Sequence, residues 1–159
     1  MSKKLIWVTG ALTVAITGIM DFVNFPRIEK NTDGIKAFDM NSFGYPPEQA
    51  QRFLDLIDED ARQLYLKKQL PLDTIYPVIY TTFFISSLKA LGANKAMMAF
   101  PPALYIFDNL ENICSVKMLR DRKAPKPLAR FASTMTLLKS LTMYSIFGFL
   151  GYLLYKKNK

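Results

Sequence analysis

The sequence predicts an all-α membrane protein with four transmembrane helices and one amphipathic helix outside the membrane. Half of the 159 residues are hydrophobic, and residues 5–20, 75–88 and 141–155 contain no charged side chain. Uncharged blocks of this length suit a bilayer core of ~30 Å better than the interior of a soluble domain. The chain has room for one domain, so residues 1–159 are expected to form a single transmembrane unit.

The first transmembrane helix is predicted over residues 5–23, after a short basic start. Polar residues and a proline in residues 21–27 are expected to end it. Its small side chains, among them Ala11, Ala15 and Gly18, would let a neighbouring helix approach closely in lipid. A cleavable signal peptide is the alternative interpretation, but the apolar run is long for one and offers a poor cleavage site.

An amphipathic helix is predicted over residues 47–68, after an ordered loop outside the membrane. Pro47 and Glu48 suit the first turn of a helix. The apolar residues that recur at helical spacing are Phe53, Leu54, Ile57, Ala61, Leu64 and Tyr65. Because the opposite face is mostly acidic, we expect this helix to contact protein and not anionic lipid.

The second transmembrane helix is predicted over residues 71–91. Asp73, Tyr76 and Tyr80 share one of its faces. Pro77 cannot donate a hydrogen bond to the carbonyl of Asp73, so a kink is expected there.

The third transmembrane helix is predicted over residues 97–119, and polar side chains occupy its middle. Asp108, Glu111 and Asn112 fall on one face, with Asn109 beside them. A carboxylate in hydrocarbon costs about 2.5–3.5 kcal/mol on insertion scales, so these groups are expected to face protein or water.

The fourth transmembrane helix is predicted over residues 131–155, with Lys139 in its first half. Residues 117–130 before it form the only strongly basic loop. We expect this loop to contact anionic lipid headgroups through Arg120, Arg122, Lys123, Lys126 and Arg130.

Four crossings place both termini and the short turn at Gly92 on one side of the membrane, here side A. The long loop, the amphipathic helix and the basic loop then lie on side B. The positive-inside rule does not settle which side is cytoplasmic, because many basic residues of side B belong to the long loop. At 1.5 Å per residue, the polar side chains of all four helices reach similar depths in the half near side B. The predicted polar core consists of Asp21, Asp73, Tyr76, Tyr80, Asp108, Asn109, Glu111, Asn112 and Lys139.

Two interpretations of this polar core remain open. In the first it is a structural network in which Lys139 pairs with Asp108 or Glu111. In the second it is a site for a cation, a proton or a lipid headgroup. The D-x-x-E spacing is not specific for a metal, and we expect no metal and no cofactor.

The composition excludes several classes of function. The sequence has no histidine, which excludes histidine-ligated haem and Ser-His or Cys-His catalytic relays. Cys114 is the only cysteine, so there is no internal disulfide. The formal charge of +8 is concentrated at helix ends, without a basic face interleaved with aromatics, so no nucleic-acid partner is expected.

A series of short motifs resembles a family of small, uncharacterised four-helix membrane proteins. They are Gly44-Tyr45, Arg62-x-x-Tyr65-Leu66, Leu70-Pro71-Leu72-Asp73, Pro77-x-x-Tyr80 and Asp108-x-x-Glu111-Asn112. The likeness spans residues 44–114. It implies the four-helix topology and implies that the acidic residues belong together, but the family has no established activity to carry over.

The leading expectation is a non-catalytic membrane subunit or scaffold, with no catalytic residue. Its partners would be the lipid bilayer and other subunits, in the mitochondrial inner membrane or a bacterial cytoplasmic membrane. The alternative is an intramembrane enzyme, carrier or binding protein for a lipid or isoprenoid that uses Asp73, Asp108 and Glu111. This alternative predicts a cavity between the second and third transmembrane helices, lined by carboxylates that are not fully paired.

Overall fold

Residues 3–159 are described by a computed structural model in which 82% of the chain is helical and no β-strand occurs within that range. The all-α prediction is therefore confirmed. The five helices are α1 (Lys3–Ile28), α2 (Pro47–Leu56), α3 (residues 59–90), α4 (Phe100–Asp121) and α5 (Lys126–Lys157). A 3₁₀ turn at Phe38–Met40 and one helical turn at Lys95–Met98 lie in the connections.

Two of these helices, α1 and α5, are long and apolar enough to cross a membrane, with mean hydropathies of 1.7 and 1.4. Four such helices were expected from the sequence. The central part of α4 is less apolar because it carries Asp108, Asn109, Glu111 and Asn112. Most side chains of α1 and α5 lie on the outside of the protein, as the exposure of Trp7 and Phe147 illustrates.

The four long helices pack side by side in an up-and-down order. Contacts between Gly10 and Phe83 and between Thr17 and Tyr76 make α3 antiparallel to α1. In turn α4 packs against α3, and α5 packs against α4. Because α1 and α5 make little contact with each other, a long gap remains between them above α3. We call this gap the seam.

Helix α1 is longer than predicted. It passes through a π turn at Met20–Asn24 and continues over Phe25–Ile28, so the polar residues 21–27 do not end it. The side chain of Asn24 donates a hydrogen bond of 2.9 Å to Gln69 Oε1, and Phe25 and Ile28 are buried. Packing against the start of α3 therefore extends the helix beyond the end that its local sequence indicates.

The amphipathic helix predicted over residues 47–68 is broken into two parts. Helix α2 ends at Leu56, Ile57 is extended, and Asp58 caps the next helix by accepting a 2.8 Å hydrogen bond from the amide of Ala61. The second part, Glu59–Leu64, is the beginning of α3, which continues through a π turn at Tyr65–Gln69 into Leu70–Ala90. The apolar face of α2 packs into the core of this chain.

The basic loop is also shorter than predicted. Helix α4 ends at Asp121, where Arg122 adopts a left-handed conformation (φ 50°), and α5 begins at Lys126. Proline at the first turn suits this early start of α5, because its missing N–H would have no helical partner there. Lys126 and Arg130 therefore lie on the first turns of a helix.

Candidate functional site

A buried ion-pair cluster joins α4 to α5. Lys139 Nζ lies 3.3 Å from Asp108 Oδ1 and makes a closer ion pair with Glu111 Oε2. The side chain of Glu111 is 0% exposed, so removal of one partner would leave a charge without compensation in a low-dielectric interior. The helical spacing of Asp108 and Glu111 places both carboxylates on the same face of α4, opposite Lys139.

The other carboxylate oxygens of this cluster are also hydrogen-bonded. The hydroxyl of Tyr80 donates to Asp108 Oδ2 at 2.6 Å, and the hydroxyl of Thr136 donates to Glu111 Oε1 at 2.7 Å. Asp108, Glu111 and Lys139 therefore form one network of ion pairs and hydrogen bonds that joins α3, α4 and α5.

Asn112 has a structural contact that the sequence did not reveal. Its side-chain amide donates a 3.0 Å hydrogen bond to the backbone carbonyl of Asp73. That carbonyl is the one that Pro77 cannot bond within the helix. Asn112 on α4 thus supplies the hydrogen-bond donor that is missing in α3 because Pro77 has no backbone N–H.

The carboxylate of Asp73, by contrast, lacks a partner for its Oδ2 atom. Asp73 is 3% exposed, and none of the salt bridges among residues 3–159 includes it. Buried side-chain oxygens are nearly always hydrogen-bonded, so this oxygen has an unused capacity to accept a hydrogen bond from a water, an ion or another molecule.

A loop residue outside the predicted polar core, Asp39, also belongs to the site. Asp39, on the 3₁₀ turn Phe38–Met40, accepts a 2.8 Å hydrogen bond from the hydroxyl of Tyr65, while its Oδ1 atom has no partner. Burial raises the pKa of Asp39 above its ordinary value. The signal available in the sequence was the apolar pair Ala37-Phe38 just before it, since both are buried and draw the turn onto the helices.

These groups surround a cavity of about 220 Å³ in the seam. Its floor is formed by α3 and α4, and its sides are formed by α1 and α5. One end is closed by Asp39, Met40 and Ser42, which belong to the long loop between α1 and α2. The exposed residues Asp21 and Tyr144 flank its mouth. The cavity therefore opens between α1 and α5, and not between the second and third transmembrane helices, because α3 and α4 pack directly against each other. Its polar lining consists of Thr17, Asp21, Asp39, Ser42, Asp73, Tyr76, Tyr80, Asp108, Lys139 and Ser140.

Of the nine residues predicted to form the polar core, most meet here. Asp21 lies at the cavity mouth, and the hydroxyl of Tyr76 is 2.8 Å from that of Thr17. Asn109 is not part of the cluster: its side chain donates to the carbonyl of Tyr105 on its own helix, at 2.8 Å.

The basic residues expected at lipid headgroups have mixed surroundings. Arg122 lies 2.5 Å from Glu59, and Lys126 lies 3.9 Å from Glu48. Three of these basic side chains are exposed and form no ion pair with another described residue: Arg120, Lys123 and Arg130.

The charge balance of the cavity favours a cation. Asp21, Asp39 and Asp73 line it, and no salt bridge within the described range neutralises them, whereas Lys139 is already held between two other carboxylates. Clefts lined by charge of one sign concentrate ligands of the opposite sign. Among residues 3–159 no three acidic or cysteine side chains are grouped so as to hold a metal ion. An organic ammonium group fits this arrangement.

No family model, no curated protein and no solved structure matches this chain. The resemblance to small four-helix membrane proteins therefore depends on the quoted motifs alone.

Proposed function

We propose that this chain is a membrane protein of four crossings that binds, without converting it, the cationic head of a membrane-resident molecule in the seam cavity. The segments Leu70–Ala90 and Phe100–Asp121 have 21 and 22 residues, enough to cross a core of ~30 Å at 1.5 Å per residue. The polar groups that lower the hydropathy of α4 point inward, whereas Ile106 and Ile113 on its outer face are exposed. This distribution is typical of a helix in a membrane bundle.

The unpartnered carboxylate of Asp73 on the cavity floor carries the proposal. A protonated amine would supply the missing hydrogen-bond donor and the missing positive charge together. Asp39, whose Oδ1 atom also lacks a partner, is placed to contribute a second acceptor.

A binding function accounts for the structure better than the scaffold function predicted from the sequence. The scaffold prediction depended partly on an apolar helix face free for a partner, and the apolar face of α2 is covered by this chain. Conversion of the ligand is not proposed, because Asp108 and Glu111, two of the three carboxylates that the enzyme alternative would use, are engaged with Lys139.

The test uses a small amine that has the proposed cationic head and only a short apolar chain. Butylammonium is titrated into the purified full chain in a mild uncharged detergent, and thermal unfolding is followed. We expect a saturable rise in Tm for the wild type, because a ligand that binds only the folded state stabilises it by about 2.7 kcal/mol at a hundredfold excess over Kd. Asp73→Asn should lose this rise.

The matched control is Asp121→Asn, which removes an exposed carboxylate at the end of α4. It should respond like the wild type. Butanol, which has a similar tail and no charge, should not raise Tm in any variant. If butylammonium leaves the wild type unchanged, or stabilises Asp73→Asn equally, the proposed function is wrong.

A further inference from the structure

A second, apolar opening follows the cavity along the seam. This groove has a volume of about 830 Å³ and is lined by α1, α3 and α5. With the exception of Ser87, its walls are apolar, and they include Trp7, Val14, Phe83 and Leu150. Such a wall suits a hydrocarbon chain.

The groove and the cavity are consecutive parts of one path. On α1, Val14 faces the groove and Thr17 faces the cavity, one helical turn apart. On α3 the corresponding residues are Phe83 and Tyr80. From Thr17 to Trp7 the path is about 15 Å long at 1.5 Å per residue, half of the hydrocarbon core of ~30 Å. This is the depth of one leaflet.

The two parts differ in charge, and this difference identifies the occupant. The cavity presents unneutralised carboxylates, which would repel a phosphate group. Its 220 Å³ lies below the range of about 300–1,000 Å³ typical of drug-sized ligands, so the head must be small. The groove offers no charge. A molecule complementary to both has one small cation at one end and a single apolar chain.

We propose that the seam binds a long-chain primary amine lengthwise, with its ammonium group at Asp73 and its chain in the groove up to Trp7. This inference rests on the proposed function for the head and adds the chemical class of the ligand and the place of its chain.

Trp7 allows a direct test, because it is the only tryptophan and lies at the far end of the groove. The full chain is reconstituted in phosphatidylcholine vesicles, and terminally brominated dodecylammonium is titrated while Trp7 fluorescence is recorded. We expect saturable quenching by the brominated chain end. Brominated dodecanol, which enters the same bilayer without a charge, should give only linear, unsaturable quenching.

Two variants on α1 separate the groove from the bilayer. Ala11→Phe places a ring in the groove and should abolish the saturable quenching, yet leave the response to butylammonium intact. Leu12→Phe is the matched control, since Leu12 is exposed and does not line the groove. In this variant the brominated amine should quench Trp7 fluorescence as it does in the wild type. Asp73→Asn should lose both responses.

The outcomes distinguish this inference from the proposed function. If butylammonium stabilises the wild type but the brominated amine quenches no better than the alcohol, the head binds and the chain lies in the bilayer, which overturns the inference alone. Saturable quenching that survives Ala11→Phe overturns it as well. If butylammonium does not raise the Tm of the wild type and the brominated amine causes no saturable quenching, both proposals are wrong.

Discussion

Asp73→Asn is expected to stabilise the ligand-free protein while it abolishes binding. The carboxylate of Asp73 is 3% exposed and has an oxygen without a hydrogen-bond partner. Asparagine has nearly the same shape and carries no charge, so the substitution removes the cost of burying an ion and keeps the packing, and its amide can donate as well as accept hydrogen bonds. Natural binding sites often retain such groups at a cost in stability.

The size of the effect follows from the environment of the side chain. A buried polar group without a partner costs about 1–3 kcal/mol, and more when it is charged. We therefore expect Asp73→Asn to raise the free energy of unfolding by about 2 kcal/mol, where each 1 kcal/mol corresponds to about 2–4 °C in a chain of this size. The expected gain in Tm is about 4–8 °C.

Asp108→Asn provides the contrast, because both oxygens of Asp108 are engaged by Tyr80 and Lys139. This substitution should lower the free energy of unfolding by about 2–3 kcal/mol. The loss is smaller than for a buried ion pair that is broken completely, because Lys139 remains paired with Glu111. Thermal unfolding of both variants, monitored by circular dichroism in detergent without ligand, is the measurement. A Tm for Asp73→Asn that is equal to or below that of the wild type would refute the reasoning, since Asp73 would then have a structural partner.

Three further contacts can be tested by thermal unfolding of variants. Asn112→Leu should cost about 1–3 kcal/mol, and a double-mutant cycle should show a smaller loss after Pro77→Ala, which restores the missing backbone donor. Gly44→Ala should cost about 1–3 kcal/mol, because φ is +80° and the new Cβ would lie 2.7 Å from a serine hydroxyl of α5. Gly34→Ala, with a similar φ but open space, should lose less. Hydrogen bonds from Arg62, Gln63 and Arg122 lower the pKa of Glu59 from 4.5 to about 2. Glu59→Gln should therefore lower Tm above pH 4.5, and the difference should vanish as the pH falls through 2.

Periodicity in the sequence was sufficient to predict the faces of the individual helices. In α4 the spacing placed Asp108, Glu111 and Asn112 on one side, and all three are buried while Ile113 on the other side is exposed. The chemistry of proline also predicted that the carbonyl of Asp73 would lose its helical partner. These properties depend on one helix at a time, and local geometry determines them.

Helix ends were predicted less well, because contacts distant in sequence decide them. Asn24 bonds to Gln69, 45 positions away, and α1 continues past the residues that would end an isolated helix. At Asp58, in contrast, a local capping bond breaks a helix that the hydrophobic pattern had predicted to be continuous.

Which carboxylate is paired and which is free was decided only by the tertiary structure. Lys139 forms ion pairs with Asp108 and Glu111 but not with Asp73, because α5 packs extensively against α4 and only slightly against α3. The same arrangement opens the seam and brings Asp39 from a loop into it. A sequence specifies the face on which a charge lies, whereas ion pairs and cavities depend on distances between helices, and these are set by the packing of the whole bundle.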